Sequence, residues 1–386
     1  MNVPKLRFKE FNDEYKTYKF YGVAKLCRGS SPRPIINFIT KSEDCVNWIK
    51  IGDVSPNETY INSTSEKITK EGAKKSRRVY KGEIILSNSM SFGRPYILNL
   101  DGCIHDGWFV VRDYEKLLNK EYLYHFMCSP LIQKQYKTLS AGGVVSNISS
   151  ELVYSVKLNI PSKEEQLKIA KFLSLLDKKI ELQSKKIEDL KLFKLYTKNQ
   201  IFKDYDEIFK LKDILVKWNK KNKNNSVKYV ESISNKYGFI SQSDQFEDRN
   251  VASKDLNNYY IIEKGVFGYN PSRLNVGSLA LKTNDKVSVV SPLYECFTTS
   301  QNNQYLLEWF DSKYFRKETI SKFEGGVRNT LNFSNLCEIE IGLPTIEKQN
   351  KYSKIFKIFN NKIEFEVKKL YKLQELKKSL MKSMFV

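Results

Sequence analysis

Between residues 163 and 203 the apolar positions Ile169, Leu173, Leu176, Ile180, Ile187, Leu190 and Phe193 recur at spacings of three, four and seven. That stride is the seam of an amphipathic helix. A second seam with the same stride runs through Tyr352, Phe356, Phe359, Ile363, Leu370, Leu373 and Leu376. Both follow a proline and a hydroxyl residue, in "IPSKEEQ" at 160–166 and "LPTIEKQ" at 343–349. The Ser or Thr can cap free backbone N–H groups, and the Glu that follows suits the positive end of the helix dipole. Neither segment has Gly or Pro after its start, so each predicts a helix of about 40 residues, about 60 Å long. Such a stripe needs a covering partner, and the best one in the sequence is the other copy. The competing reading is two independent helices, each lying on its own domain.

The two segments are copies. A shift of 183 residues aligns 161–203 with 344–386 without a gap; thirteen of the 43 positions are identical, and seven of these are not lysine. They include Pro161/Pro344, Gln166/Gln349, Ile180/Ile363 and Phe202/Phe385. The same offset places "YLYHFMCSPLIQKQY" (122–136) over "YLLEWFDSKYFRKET" (305–319), and pairs Gly142-Gly143 with Gly325-Gly326 and Gly82 with Gly265. The chain therefore reads as unit, helix, unit, helix. The expected boundaries are 1–160, 161–204, 205–343 and 344–386. Upstream of each helix, short β-type runs ("WIKIGDV", "EIILSN", "YILNL", "GWFVV"; then "YYIIEKGVFGY", "GSLALK", "DKVSVVS") alternate with turn residues. Helices are expected over 113–138 and near 301–322. Each unit is read as α+β with a strand-rich body.

A net charge of +21 points to a polyanionic partner, nucleic acid first. The lysine excess, 54 of 65 basic residues, is also what an AT-rich genome produces, so charge is a lean only. In the first unit "TKEGAKKSRRVYKG" (69–82) gathers Lys74, Lys75, Arg77 and Arg78, and "LSNSMSFGRPY" (86–96) offers Asn88, Ser89, Arg94 and Tyr96. Basic side chains hold phosphates, while Asn, Ser and Arg can read base edges. In the second unit, 216–229 with Lys220 and Lys221, and "YNPSRLNVG" (269–277) with Asn270, Arg273 and Asn275, are taken as the counterparts; Arg328 follows the Gly-Gly pair. The bland alternative is solvated basic loops.

No catalytic set is found. His105 and His125 have no repeated partner, and in "IHDGW" His105 and Asp106 would point to opposite faces of a strand. There is no phosphate-binding loop and no dinucleotide fingerprint. Six scattered cysteines without a C-x-x-C pair fit a reduced cytosol and offer no zinc site. No run of about 18 apolar residues is present, so no membrane span is expected.

This pattern resembles the specificity subunit of Type I restriction-modification systems. The resemblance is carried by "SRRVYKGEIILSNSMSFGRPYIL", "GCIHDGWFV" and the duplicated Pro161-Glu164-Gln166 and Pro344-Glu347-Gln349 helices. It implies two target-recognition domains, each reading half of a split double-stranded DNA site. It implies an antiparallel coiled-coil spacer and docking of two modification subunits, with motor-nuclease subunits able to join. It implies no cofactor in this chain, with S-adenosylmethionine, ATP and Mg on the partners, and a cytoplasmic location. Two departures stand out: the second half lacks "SNSMSFGRP" and "IHDGW", and Asp177 is matched by Asn360. The alternatives are a self-sufficient restriction enzyme or methyltransferase component, and a basic coiled-coil scaffold that binds nucleic acid without sequence preference.

Overall fold

The computed structural model of the chain describes residues 3–54, 58–88, 93–140, 148–235, 237–242, 255–320 and 330–386, the side chains at 139, 140, 275 and 276 apart. The chain forms two compact units, one of Met1–Ser184 with Lys368–Val386 and one of Lys185–Val367. The expected cuts at 161, 205 and 344 do not coincide with these, because each long helix contributes to both units. No helix among the described residues is long and apolar enough to cross a membrane.

In the first unit the main sheet runs Lys25–Arg28, Trp108–Arg112, Ile84–Ser87, Pro95–Leu98, Tyr60–Ile61, with only the last pair parallel. Its central strands are nearly continuous apolar runs because both faces are buried. Ile84, Leu86, Ile97, Phe109 and Val111 pack on the helices, while Ile85, Tyr96, Leu98, Trp108 and Val110 pack on a second sheet. The period of two thus divides each strand between two cores. That second sheet runs Ile39–Thr40, Glu66–Ile68, Val46–Ile49, Gly102–Ile104, Arg77–Val79.

The second unit repeats this order with little of the sequence. Leu215–Lys217, Glu295–Thr299, Phe267–Tyr269 and Leu279–Leu281 form its main sheet, and Tyr260–Ile262 pairs with Ser288–Val290 as Arg77–Val79 pairs with Gly102–Ile104. Gly82 and Gly265 hold φ near +92° and +93°, and each donates its N–H to the adjacent strand, at Leu98 O and Lys282 O. A Cβ there would be strained, which explains the shared glycine. Glu231–Ser234, antiparallel to Gly238–Ser241, adjoins the Tyr260–Ile262 and Ser288–Val290 pair through a parallel bridge of Val230 to Val289, as Val46–Ile49 pairs antiparallel with Glu66–Ile68 and parallel with Gly102–Ile104.

The single helix expected over 113–138 is two, Lys120–Cys128 and Pro130–Ser140, and its counterpart is Asn303–Phe310 and Lys313–Ile320. The break has one cause in both copies. Ser129 and Ser312 receive the following turn, with Ile132 N–H donating to Ser129 Oγ (3.4 Å) and Phe315 N–H to Ser312 Oγ (3.2 Å).

The long helices span Lys163–Ile201 and Ile346–Met384. Within the first unit the start of one lies antiparallel to the end of the other: Asp177 meets Lys377, and Ile169 and Leu173 share a core with Met381 and Met384. Within the second unit Lys186 meets Glu366 and Phe193 meets Phe359 in the same sense. Ile169, Leu173, Ile187 and Phe356 are buried, and Leu176, Ile180, Leu190, Tyr352, Phe359, Ile363, Leu370 and Leu373 are half-buried. Phe193 and Leu376, the last members of each stride, are exposed.

The paired prolines and glutamines close one clip, made twice. Gln166 Oε1 accepts the N–H of Asn119, which caps the helix at Lys120, and Gln166 Nε2 donates to Pro161 O and Leu117 O. Gln349 Oε1 accepts the N–H of Asn302, the cap of the helix at Asn303, and its Nε2 donates to Pro344 O and Gln301 Oε1. Both amides are at most 1% exposed. One position earlier, Glu165 is not a free cap but a buried acceptor of Arg7 (2.9 and 2.8 Å) and the Tyr15 hydroxyl. Its repeat mate Lys348 reverses the charge and reaches Asp204 and Asp206.

Asp177 and Asn360 belong to a second charge exchange. In the first unit the Asp177 carboxylate takes Lys377, and buried His125 approaches Ser174 Oγ (3.1 Å). In the second, the acid is on the domain helix: Glu308 Oε1 accepts from Lys194 (2.9 Å) and from Asn360 Nδ2 (2.9 Å). Each lysine meets a carboxylate, supplied from the long helix in one copy and from the domain in the other.

Replacing Gln166 or Gln349 by Leu should cost about 2 kcal/mol each, since Asn119 or Asn302 then keeps a buried N–H without an acceptor. Urea unfolding checks this, and an unchanged midpoint refutes the clip. Burial, then Lys377, pushes the His125 pKa down to about 3 from 6.5. Between these values the unfolded chain binds the extra proton, so stability declines as pH falls from 6.5 and is fully retained above it. His125→Asn should flatten the dependence of the melting temperature on pH between 7 and 4.5; parallel profiles would refute it.

Candidate nucleic-acid interface

The basic stretch of the first unit is held at a sheet edge. Thr69 Oγ1 caps the helix Lys70–Lys74 through Gly72 N–H, and Gly72 lies where a Cβ would meet the Phe38 side chain at 2.9 Å. Arg77–Val79 then forms the edge strand, with Val79 buried and Arg77 exposed. Lys74 and Lys75 are exposed, with the Lys75 ammonium 4.9 Å from the Phe38 ring. Arg78 points to the opposite face, half-buried, 6.0 Å from Tyr80.

A loop that sequence reasoning passed over completes this surface. "RGSSPRP" (28–34) folds against residues 75–77 and 104–108. Ser76 Oγ donates to Ser30 O (2.5 Å), Arg77 Nε to Arg28 O (3.1 Å), and Gly29 N–H to Trp108 O (2.8 Å). At Gly29 a Cβ would stand 2.1 Å from His105 O, so only glycine lets the loop approach. Asp106 anchors it from below, bonding the Ser31 hydroxyl and lying 3.6 Å from Arg33. Burial alone would raise the Asp106 carboxyl, but Ser31, its own backbone N–H, His105 and Arg33 outweigh it and hold it below the usual range. The result is an exposed group of Arg28, Arg33, Lys74, Lys75 and Arg77 with its one internal carboxylate already engaged. The legible signal was two arginines in a Gly-Ser-Pro loop.

His105 and Asp106 are in contact, at 3.4 Å, contrary to the opposite-face reading. The strand ends at Ile104, and a turn closed by Gly107 N–H to His105 Nδ1 brings the side chains together.

The other predicted residues are spread more widely. Tyr96 is core: its ring is fully buried, edge-on to Trp108 at 5.6 Å, so it offers nothing at the surface. Asn88 is buried too, donating to Asp106 O and accepting from Ile148 N–H. Arg94 is half-buried over the Tyr96 ring. Ser89, Arg328 and both Gly-Gly pairs lie outside the described residues, as does the Asn275 side chain.

In the second unit, 216–229 is the counterpart of 25–34 rather than of 69–82. It follows the equivalent strand and lies along Tyr260–Ile262, with Ile261 N–H donating to Lys220 O (2.8 Å) and Lys221 bridged to Tyr260. Lys220 and Lys221 are exposed, the first paired with Glu263 and the second 5.2 Å from the Tyr260 ring. Asn270 is a cap, its Oδ1 accepting Ser272 N–H, and Arg273 is exposed on the turn it starts.

Residues 12–192 match the Type I restriction modification DNA specificity domain. That segment, a little under half of the chain, carries this domain's sequence pattern. The chain is 26% identical over 196 residues to the Type I restriction enzyme MjaIX specificity subunit of Methanocaldococcus jannaschii, covering 50% of this chain and 45% of that one. It is 23% identical over 337 residues to the MjaVIII specificity subunit of the same organism, 78% of each. The alignment thus spans less than half of the first relative. Its fold is shared with the S subunit of a Type I restriction-modification system from M. genitalium, at a TM-score of 0.59, 15% identity, and coverage of 100% and 99%.

If the specificity domain uses this surface for phosphates, Arg28→Ala and Arg77→Ala should each weaken binding to a random-sequence duplex. Each should also flatten the log–log salt dependence by roughly 0.9 for every phosphate the arginine neutralises. Tyr96→Phe should leave that slope alone. Fluorescence anisotropy at several salt concentrations reads all three, and an unchanged slope in both arginine variants would remove this loop from the interface.

Proposed function

We propose that this chain is the non-catalytic DNA-reading subunit of a Type I restriction-modification complex, recognising an asymmetric, split double-stranded site. The observation that carries the reading is one strand order built twice while the loops at the exposed edge differ. Arg28, Arg33 and Arg77 stand in one unit where Lys220, Lys221 and Tyr260 stand in the other. A common frame with two edge chemistries suits two different half-sites, since phosphate contacts position a reader and side chains at base edges give it sequence.

The long helices serve as spacer and as docking surface for two modification subunits. Their seam is closed, yet Phe172, Leu175 and Leu182 in one unit and Ile358, Phe365 and Tyr371 on the partner helix remain exposed. Apolar side chains left in water along a helix favour a protein partner. Adenine methylation with S-adenosylmethionine then belongs to those subunits, and ATP and Mg to motor-nuclease subunits.

Co-expression with the modification subunit in a methylation-free host, followed by mapping of modified adenines, tests this. A split, asymmetric motif that needs both chains is expected; no modification despite a stable complex and an active partner would refute it. Inserting four residues, about one turn, into both helices should change the unread gap and leave both half-sites as they were. A gap of unchanged length would rule out the spacer role.

A further inference from the structure

The last turns of the two long helices are buried in different units. Lys198, Ile201 and Phe202 end the first helix inside the second unit, and their repeat mates Met381, Met384 and Phe385 end the second helix inside the first. Two of these pairs are alike. Phe202 lies edge-on to Tyr305 at 5.4 Å and Phe385 to Tyr122 at 5.6 Å, and the two tyrosines are themselves repeat mates. The third pair is not alike. Lys198 is 3% exposed and donates to Glu308 Oε2 (3.3 Å), Asp311 Oδ2 (2.9 Å) and Asp311 O (3.1 Å). Met381 is 5% exposed and sits in the apolar cluster of the first unit.

The sockets differ to match. Where the second unit has Glu308, Asp311 and Asn360, the first has His125, Cys128 and Asp177. Two lysines, Lys194 and Lys198, meet two carboxylates in the second unit; one lysine, Lys377, meets one carboxylate in the first.

We propose that Lys198 and Met381 form a pairing code in which each helix tip fits only the opposite half's socket, so that a half of the chain closes on the other half and not on its like in a second copy. Pairing two first halves would place Lys198 in the socket of His125 and Cys128 while Lys194 took Asp177. That leaves a buried ammonium without a counter-ion, a strongly unfavourable state. Pairing two second halves would set Met381 against Asp311 and leave that carboxylate without its lysine. Packing and charge alone define this code, and it holds whether or not the chain reads DNA.

The test uses the full chain. Met381→Lys should lower the melting temperature by roughly 10 °C, as expected for an uncompensated buried charge in a domain of this size, while Met381→Leu should stay within about 2 °C. Adding His125→Glu, Cys128→Asp and Asp177→Asn to Met381→Lys installs the second unit's socket and should return at least half of the loss. Should Met381→Lys not accumulate as folded protein, the reciprocal set applies: Lys198→Met lowers the melting temperature, and Glu308→His with Asp311→Cys and Asn360→Asp restores it. Two differently tagged full-length copies, co-expressed, should not co-purify as wild type and should do so when both carry Lys198→Met. A tolerated Lys at 381, a socket exchange that restores nothing, or wild-type copies that co-purify as well as the variant would each overturn the code.

Discussion

A glutamine amide buried at the first turn of each long helix ties that helix to its own unit. Gln166 and Gln349 are sealed from water, so their polar atoms must be satisfied by protein groups. The groups available are the proline carbonyl that opens the helix and the N–H of the asparagine that caps a domain helix. One side chain therefore fixes the direction in which a 39-residue helix leaves its unit. Because a helix is stiff over that length, a seam residue such as Leu173 or Phe356 inherits its position from the clip.

Around this shared fixture the copies have exchanged charges without leaving a charge alone. Glu165 with Arg7 becomes Lys348 with Asp204 and Asp206; Asp177 with Lys377 becomes Glu308 with Lys194. At the buried carboxylates, Glu165 and Glu308, loss of the partner is penalised strongly, whereas Lys348, Asp204 and Asp206 are exposed and tolerate change more readily. Such pairs move together, and the units can diverge while keeping one backbone plan. The second unit carries this furthest in its body, where Lys282, Glu231 and Ser288 form a buried polar group.

The exposed basic edge follows a different logic. Its residues are exposed, so packing does not dictate their identity, and the second half shows no string resembling "SNSMSFGRP". The frame beneath is still the same: strand order, the left-handed glycine turn and the serine break between domain helices all recur. Divergence at the edge over a constant frame is what two different targets would require of one family.

Periodicity alone was enough to find the two long helices and to mark most of the seam, because a buried stripe on a regular helix leaves a fixed spacing in the chain. Apolar runs between turn residues marked the β strands, and a shift of 183 residues revealed the proline–glutamine repeat. The stride included Phe193 and Leu376, which are exposed, because the buried face shifts round each helix towards Lys198 and Ile201, and Met381 and Met384, beyond them. What the glutamines do, why Asn360 replaces Asp177, and that Tyr96 is core while Arg28 and Arg33 join Arg77 were decided only by tertiary structure. Each depends on residues far apart in the chain meeting at one point, where burial, hydrogen bonding and charge are settled jointly. No local pattern records that meeting.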